Sequence, residues 1–296
     1  MEQAMFHFPT PQPKTLADKA MLVRLKRSMF EPYVTDKVAT AAVEAQNGVH
    51  RAGRYNKHLL KDSKVFAKVQ AAYYAVYDYH MKHTLPWLDD GLRMLPSHLY
   101  FEYTQEMHKR TADAEQAVRQ LQAAWSAEIL TDKPRLGPMF DIGDYPADIT
   151  ARFSINLQFL PVPSVGDFRV DIDPDDRQSL ERAFIDVENN ISTHIAKTML
   201  EPVKAMVEKL SVPIGEKGAI FRDSLIENVV ETVERLERVN ISADAELTAS
   251  LEDIRRAIGK YKGNIDALRE VDTVRTQAHQ EFDAIMANLK GLFPTS

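Results

Sequence analysis

The spacing of apolar residues changes in one place along this chain, and that change restricts the folds the chain can adopt. In the segment "RFSINLQF", apolar and polar residues alternate, with apolar residues at Phe153, Ile155, Leu157 and Phe159. A period of two is typical of a half-buried strand. The alternation returns around Phe168, after a turn with proline and glycine, whereas most other apolar segments repeat every three or four residues. The sequence therefore predicts a mainly α protein with one central β-hairpin at residues 146–173.

Helical periodicity and capping residues divide the rest of the chain. Residues 1–14 contain three prolines and are expected to be extended. An N-terminal helical region is expected at residues 15–145, and a C-terminal helical and coiled-coil region at 174–296, together forming an elongated bundle. Helices are predicted at about 15–29, 35–47, 63–82, 98–130, 174–202, 203–210, 222–239, 243–258 and 264–292.

Three positions receive specific structural predictions. Pro202 should kink or end the helix that begins at residue 174, and Ser242 should cap the helix at 243–258. The segment 83–96 contains Pro86, Gly91 and Pro96, which indicates an irregular loop. Because this loop is unusually apolar, we expect Trp87 to be buried and to anchor it on the helix at 98–130.

The last predicted helix keeps a heptad pattern, with apolar residues at two positions of the repeat. The residues expected to form an oligomer seam are Leu268, Val271, Arg275, Phe282, Ile285 and Leu289. Arg275 is the single polar member of this seam, and one such residue can specify register at some cost in stability. The heptad therefore predicts self-association through the C-terminal helix.

Composition argues against several classes of protein. Only 11 glycines are present, which argues against a nucleotide-binding α/β fold, and the absence of cysteine excludes disulfides and thiolate chemistry. No apolar run approaches the ~20 residues that span a bilayer, so no membrane contact is expected. The first residues lack the basic and apolar regions of a signal peptide, so we expect a cytoplasmic protein.

Charge is unevenly distributed, and its most regular feature is a basic segment. Residues 1–68 hold 12 Lys/Arg against 6 Asp/Glu, while residues 69–296 hold 25 against 37. This asymmetry indicates either an anionic partner or mutual neutralisation of the two parts, within one chain or between subunits. The nucleic-acid contacts predicted from the basic segment are Arg51, Arg54, Tyr55, Lys57 and Lys61. On a helix these cations would form a stripe that follows phosphates, although a solvated helix face is the alternative interpretation.

No motif predicts catalysis, a metal site or a cofactor. Six of the nine histidines lie between His50 and His108, but neither HExxH nor paired Glu-x-x-His occurs. No GxSxG sequence and no complete phosphate-binding loop is present. We therefore assign no catalytic or metal-ligating residue, and a metal-dependent enzyme is only the third interpretation.

The predicted hairpin suggests a contact surface, because a hairpin leaves one edge of each strand free. Asn156 and Gln158 should face outward, and lysine, which often protects such edges, is absent between Lys133 and Lys197. We expect the hairpin to pair with a strand of another chain. The predicted interaction residues are Trp87, Asn156, Gln158 and Phe168.

Four segments resemble a family of phage and prophage proteins known as domain of unknown function 3150. They are "AGRYNKHLL" at 52–60, "HTLPWLDDGLRMLP" at 83–96, "LPVPSVGDFRVDI" at 160–172 and "FRDSLIENVVETVERL" at 221–236. The resemblance covers roughly residues 20–258 and carries no catalytic signature. It implies a protein of the bacterial host cytoplasm, and the proximity of some members' genes to those of MoxR-type AAA+ ATPases implies an adaptor role.

Together these observations predict a non-enzymatic phage-type protein that acts through macromolecular contacts. It would serve as an adaptor, as a host- or defence-directed effector, or as an assembly component. A protein partner is expected, either a second copy or a phage or host protein such as an AAA+ ATPase. The alternative is a nucleic-acid-binding accessory protein in phage replication, recombination or transcription.

Overall fold

A computed structural model describes residues 15–88, 91–163, 173–242 and 244–293, without the side chain of Leu180. The protein is 68% helical, which confirms a mainly α fold with minor β content. Within the described ranges the helices are α1 (Leu16–Lys19), α2 (Lys37–Asn47), α3 (Lys64–His83), α4 (Tyr100–Leu136), α5 (Pro174–Leu210), α6 (Asp223–Val239), α7 (Ala245–Lys262), α8 (Ile265–Glu270) and α9 (Asp272–Gly291).

Six strands form two antiparallel groups in the described part of the chain. They are β1 (Ala20–Ser28), β2 (Tyr33–Thr35), β3 (Asn56–His58), β4 (Leu85–Pro86), β5 (Arg93–Pro96) and β6 (Ser154–Pro161). Four of them form a sheet in the order β4-β5-β1-β6, and β2 pairs with β3. In the larger sheet Leu22 of β1 lies opposite Met94 of β5.

The helix predicted at 15–29 is wrong for most of its length, because only Leu16–Lys19 is helical and β1 follows directly. Apolar residues of β1 find backbone partners far away in sequence, and such pairing overrides local periodicity. The segment 83–96 likewise contains β4 and β5 rather than only irregular loop. Both differences have the same origin, since β1 and β5 are partners in one sheet.

The chain divides into two compact units, each assembled from separate segments. Unit 1 takes its described residues from Met1–Val23, Lys82–Tyr100 and Phe159–Ser296, and unit 2 from Arg24–Met81 and Phe101–Gln158. These units do not follow the linear division into regions 15–145, 146–173 and 174–296 that the sequence predicted. The difference arises because β1, α3, α4 and β6 each run from one unit into the other.

Unit 1 is built around α5, which packs against α6 and α9. The helix begins with Asp173 as its N-cap, whose side chain accepts a hydrogen bond from the main-chain N–H of Asp175. From Val187 onward its buried residues recur every three or four positions, as predicted, and α5 continues through Pro202 without ending. These residues are Val187, Ile191, Ile195, Met199, Val203 and Met206.

The C-terminal heptad faces the interior of unit 1. Leu268, Phe282, Ile285 and Leu289 are buried, and α9 packs on α5 and α7 of the same chain. Arg275 is also buried, whereas Val271 is exposed and has an extended backbone that separates α8 from α9. The predicted oligomer seam is therefore wrong, because a face that is covered within the chain is not available to another copy.

Unit 2 is held together by aromatic contacts around α3 and α4. The ring of Phe30 makes edge-to-face contacts with Phe66 and Trp125, at centroid distances of 6.1 and 6.0 Å. Farther along the same helices, Nδ1 of His80 lies 2.7 Å from the Tyr103 hydroxyl, and both residues are buried. A buried histidine with a hydrogen-bond partner is a core residue, which accounts for one of the six clustered histidines.

Two capping predictions have different outcomes. The predicted helix at 35–47 is confirmed as α2, with Asp36 as N-cap and Gly48 in the left-handed conformation at its end. Ser242 does not cap α7, because the side chain of Asp244 accepts the hydrogen bond from Leu247 N–H at 3.0 Å. Ser242 instead donates its hydroxyl to the side chain of Asn240.

Candidate functional site

The most exposed ordered part of unit 2 is residues 33–58, which we call the arm. It consists of β2, α2, a loop and β3, and the two strands pair at its base. No residue of α2 is buried, and from residue 41 to residue 56 every residue except Glu44 is exposed. The arm is therefore an ordered segment whose surface is available for contact.

Local sequence explains why α2 forms without a buried face. Alanine, the best helix former, occupies four of its eleven positions. The carboxylate of Asp36 accepts from Ala39 N–H at 2.9 Å, and at the other end Gly48 has φ 64° and its N–H reaches the Glu44 and Ala45 carbonyls. Isolated helices of this length are marginal in water, so these caps matter more here than in a buried helix.

The loop between α2 and β3 is fastened back to the helix. Main-chain N–H groups of Ala52 and Tyr55 donate to side chains of Glu44 (3.2 Å) and Thr40 (3.0 Å). Arg51 has a φ of 53°, a conformation that a residue with a side chain adopts at some cost. The loop thus has a defined shape, and its hydrogen bonds hold Arg51 in an unfavourable backbone conformation.

Lys57 fixes the base of the arm. Its side chain is 6% exposed, and its ammonium group lies 2.5 Å from the Asp144 carboxylate and 3.7 Å from that of Asp36. It also donates to the Met139 carbonyl at 3.0 Å. Burial alone would lower the pKa of Lys57, but the carboxylates of Asp144, Asp36 and Asp141 outweigh it and raise the pKa. Lys57 is therefore a structural cation.

A second buried charge, Asp132 in α4, holds the chain just after β3. Its carboxylate accepts from Leu60 N–H (2.6 Å), the Tyr145 hydroxyl (2.8 Å) and Arg135 Nε (2.9 Å). Burial and the hydrogen bond to Asp132 raise the pKa of Tyr145, so this hydroxyl remains a donor. Arg135 also donates to the main-chain carbonyl of His58. The arm is thus mounted on a rigid base.

The predicted cationic stripe is not helical. Residues 51–55 are loop and Lys57 lies in β3. Cations three or four positions apart therefore do not share one face of a helix here. The structure places Arg51, Arg54, Tyr55 and Lys61 on the surface, but Lys57 points into its carboxylate cluster. The prediction that Lys57 contacts phosphate is therefore wrong, because its charge is already paired.

The exposed charges of the arm have one sign. The side chains of Lys37, Arg51 and Arg54 are exposed, and none forms an ion pair or hydrogen bond with a residue that the structure describes. The two acids of the arm, Asp36 and Glu44, are both engaged in hydrogen bonds. What the arm presents to a partner is cationic.

Apolar side chains accompany these cations. Val38 is 82% exposed, and Ala41, Ala42 and Ala45 share the outward face of α2 with it. An amphipathic helix on a protein surface normally packs its apolar residues against the core. The loop that carries Arg54 and Tyr55 lies on another side of α2, against Thr40 and Glu44. An exposed apolar helix face is typical of protein interfaces.

The loop residue Trp87 contacts α5. Its side chain is only partly exposed, and its ring lies 6.0 Å from that of Phe184 in α5, a contact that the sequence did not predict. α5 covers this loop because β4 packs against it.

The strand-edge residues are exposed as predicted, with Asn156 and Gln158 outward and Ile155 and Leu157 half-buried. One edge of β6 pairs with β1 of the same chain, and among the described strands β6 is the outermost of its sheet, so pairing of the hairpin with another chain stays a prediction. Phe168 and the predicted second strand at 167–173 lie outside the described residues, except for Asp173, which is the N-cap of α5.

Unit 1 contains an apolar groove between α1 and α5, with a volume of about 460 Å³. Leu16, Phe184 and Ile185 line it, and the charged lining residues within the described ranges are Glu181 and Glu188. Neither carboxylate forms an ion pair or hydrogen bond with a described residue. We call this feature the α1–α5 groove.

One histidine of unit 1 has a strongly altered titration. Burial and the nearby guanidinium groups of Arg93 and Arg235 lower the pKa of His194 to about 4. Among the described residues no group of three histidine or acidic side chains lies close enough to hold a metal ion. The surroundings of His194 are cationic, which is unfavourable for a metal.

Comparison with known proteins yields no relative. No family model, no curated protein and no solved structure matches this chain. None of the helices in the described ranges is long and apolar enough to span a bilayer.

Sequence reasoning found the cations of the arm but not the arm itself. The available signal was the segment "KVATAAVEAQNG", whose caps and alanines predict a helix while its apolar residues do not define a single buried face. Nor could the α1–α5 groove be found, because α1 was hidden inside a longer predicted helix.

Proposed function

We propose that this chain is a non-enzymatic, phage-type protein that acts through protein contacts in a bacterial cytoplasm, and that the arm is its contact surface. The observation that supports this most directly is α2, an ordered helix of eleven residues with no buried residue. Exposing Val38 to water gains nothing for the isolated chain, whereas a partner that covers it would bury apolar area. The resemblance to domain of unknown function 3150 supports the phage-type assignment.

The chemistry of the arm favours a protein over a nucleic acid. Affinity for DNA or RNA depends on several cations that reach phosphates. Pairing removes Lys57 from the predicted set and leaves Arg51, Arg54 and Lys61 at the surface. The outward face of α2, in contrast, carries Val38 and alanines, which have no role at a phosphate backbone. Nucleic-acid binding therefore remains the second candidate, supported by the exposed Arg54 and Tyr55.

The expected partner has an apolar groove bordered by carboxylates. An apolar helix face binds such a groove through its side chains, and cations at its margin set orientation and association rate. For an adaptor or assembly component the partner is a second copy or a phage or host protein. The resemblance makes a MoxR-type AAA+ ATPase the first heterologous partner to test.

The test is a pull-down from phage-infected cells with the full chain and two matched variants. Val38→Glu with Ala42→Glu places two charges four residues apart on α2, and Ala112→Glu with Gln116→Glu does the same on the exposed face of α4. Because glutamate is a good helix former, both variants should keep their helices, which circular dichroism would verify. We expect the arm variant to lose the captured partner and the α4 variant to keep it. Equal capture by all three proteins would refute the proposal.

A mobility shift with single- and double-stranded DNA tests the second candidate. Arg51→Gln, Arg54→Gln and Lys61→Gln together remove the exposed cations of the predicted set. If these residues contact phosphates, each should contribute about one unit to the salt dependence of binding. Salt-dependent binding that the triple variant loses, combined with unchanged capture of protein by the Val38 and Ala42 variant, would favour the nucleic-acid function.

A further inference from the structure

Asn47 and Gly48 lie at the end of α2, where the helix passes into the loop of the arm. Of the nine asparagines in the sequence, Asn47 is the only one followed by glycine. Both residues are exposed, and no described atom lies within 4 Å of the position that a Cβ on Gly48 would occupy. Because glycine has no side chain, its main-chain nitrogen can approach the preceding side chain with little steric hindrance.

We propose that Asn47 is a site of spontaneous deamidation. In this reaction the main-chain nitrogen of Gly48 gives up its proton to solvent and attacks Cγ of Asn47. The new N–Cγ bond closes a five-membered succinimide ring, the Cγ–Nδ2 bond breaks, and Nδ2 leaves as ammonia with a proton taken from solvent. Water then adds to one of the two ring carbonyls and opens the ring, which leaves aspartate or isoaspartate at position 47. The net reaction consumes one water, releases one ammonia and involves no oxidant or reductant.

The folded end of α2 opposes this reaction. The main-chain N–H of Gly48 donates to the carbonyls of Glu44 and Ala45. The side-chain amide of Asn47 donates to the main-chain carbonyl of Val43 at 2.8 Å. A cyclisation requires that the attacking nitrogen and Cγ meet in a near-attack geometry. Because both groups are held by hydrogen bonds of the helix, the reaction must proceed from a state in which the last turn is open.

The last turn of α2 should open easily. The helix has eleven residues and none of them is buried, and isolated helices of this length are marginal in water. Segments with few buried contacts open locally far more often than the whole protein unfolds. We therefore expect Asn47 to deamidate in the folded chain at about one-tenth of its rate in the unfolded chain.

The product changes the arm in two ways. A carboxylate at position 47 places negative charge at the C-terminal end of a helix, where the helix dipole disfavours it. Isoaspartate also inserts one methylene group into the main chain, which displaces Gly48 from the left-handed conformation that ends α2. The arm of an aged chain should therefore be less ordered and should lose its protein contact. Only this loss of contact rests on the proposed function.

The test follows the folded full chain by peptide mass spectrometry during incubation at mildly alkaline pH. Trypsin cleavage after Lys37 and Arg51 isolates the peptide that contains Asn47, and deamidation adds about 1 Da to it. Asn264, which is exposed and followed by isoleucine, is the internal control and should remain unchanged over the same period. Asn47→Gln should abolish the mass change, because glutamine would have to close a larger ring. The chain in guanidinium chloride gives the unfolded rate.

Ala42→Gly tests whether the reaction requires opening of α2. Ala42 is exposed, so the substitution acts mainly by lowering helix propensity, and deamidation of the folded chain should become about fivefold faster. Ala112→Gly on the exposed face of α4 is the matched control and should leave the rate unchanged. In guanidinium chloride the wild type and both variants should react at the same rate.

Two results would overturn the inference. A folded chain in which Asn47 deamidates no faster than Asn264 has no modification site at the end of α2. A rate that is the same in the folded wild type and in Ala42→Gly would show that the reaction does not pass through the open helix.

The consequence for the arm is tested by a pull-down with aged wild type and equally aged Asn47→Gln. Loss of the captured partner from the aged wild type alone supports the consequence, and equal capture by both contradicts it. If neither protein captures a partner even when fresh, the proposed function fails. Deamidation is measured by mass alone and is judged separately from that result.

Discussion

In α9, the guanidinium group of Arg275 donates a hydrogen bond to the main-chain carbonyl of Lys209, at the end of α5, with a distance of 2.7 Å. The same side chain reaches the carbonyls of Leu210 (3.3 Å), Leu268 (3.0 Å) and Ala219 (3.2 Å). The last carbonyls of a helix have no partner within it, so Arg275 satisfies groups that would otherwise be buried without hydrogen bonds. A residue predicted to set the register of an oligomer is therefore a C-terminal cap inside the chain.

Arg275→Met should destabilise unit 1 strongly. Arg275 is 3% exposed, so its removal leaves several buried carbonyls unsatisfied, at a cost of about 3 kcal/mol. Arg275→Lys should recover little of this, because an ammonium group cannot reach carbonyls in several directions as a guanidinium does. Urea unfolding would measure both, with Arg256→Met on the exposed face of α7 as the control. Equal stability of the Arg275 and Arg256 variants would contradict the capping role.

Lys57→Met should loosen the arm more than it affects the rest of unit 2. Removing the ammonium group leaves Asp144 and Asp36 close together and uncompensated, which typically costs about 3 kcal/mol. Hydrogen exchange and limited proteolysis at residues 48–55 should both accelerate. Lys61→Met, an exposed neighbour, is the control, and adding Asp144→Asn to Lys57→Met should recover part of the protection. Unchanged exchange in Lys57→Met would show that the arm is held by other contacts.

Asp132→Asn should destabilise the base of the arm. The carboxylate accepts from Leu60, Tyr145 and Arg135, and an amide retains only one acceptor oxygen. We expect a loss of about 2 kcal/mol, since buried donors of this cluster lose an acceptor while Arg135 itself remains accessible to water. Tyr145→Phe removes one of these hydrogen bonds and should cost about 1 kcal/mol. Thermal unfolding of the two single variants and the double variant would show whether the effects are coupled.

His194 should make unit 1 sensitive to mild acid. Its pKa in the folded protein is about 4, below the ordinary 6.5, so the native state holds the imidazole neutral beside Arg93 and Arg235. A lowered pKa means that this contribution to stability is complete above pH 6.5 and is lost as the pH falls toward 4. His194→Gln should flatten this part of the profile of unfolding free energy against pH, and His50→Gln, an exposed control, should not. A profile unchanged in His194→Gln would contradict the assignment.

Local patterns predicted the helices well where a single face is buried and a cap is present. The helix after Asp173 and the helix that ends at Gly48 lie where the sequence places them, because their signals depend on neighbouring residues alone. β1 could not be predicted in this way. Its residues Leu22 and Val23 also fit a helix, and only strands brought together by the fold decide between the two.

The candidate site was predictable in composition but not in geometry. Arg51, Arg54 and Lys57 form one series in the sequence, yet the structure exposes two of them and buries the third. What separates them is Asp144, a residue 87 positions after Lys57 that no local pattern connects to it. In the C-terminal heptad, similarly, periodicity identified the buried face but not the helices that cover it.

The central position of β1 has a consequence for synthesis on the ribosome. One neighbour of β1 is β5, and its other neighbour is β6, whose Ser154 lies beside Ser28 although 126 residues separate them. At ordinary translation rates of about 5–20 residues per second, β1 must wait on the order of ten seconds before β6 has been made. During that interval the nascent chain carries β1 with one edge unpaired, and unpaired strand edges are prone to aggregation. Efficient production of this protein therefore depends on what shields β1 during that interval.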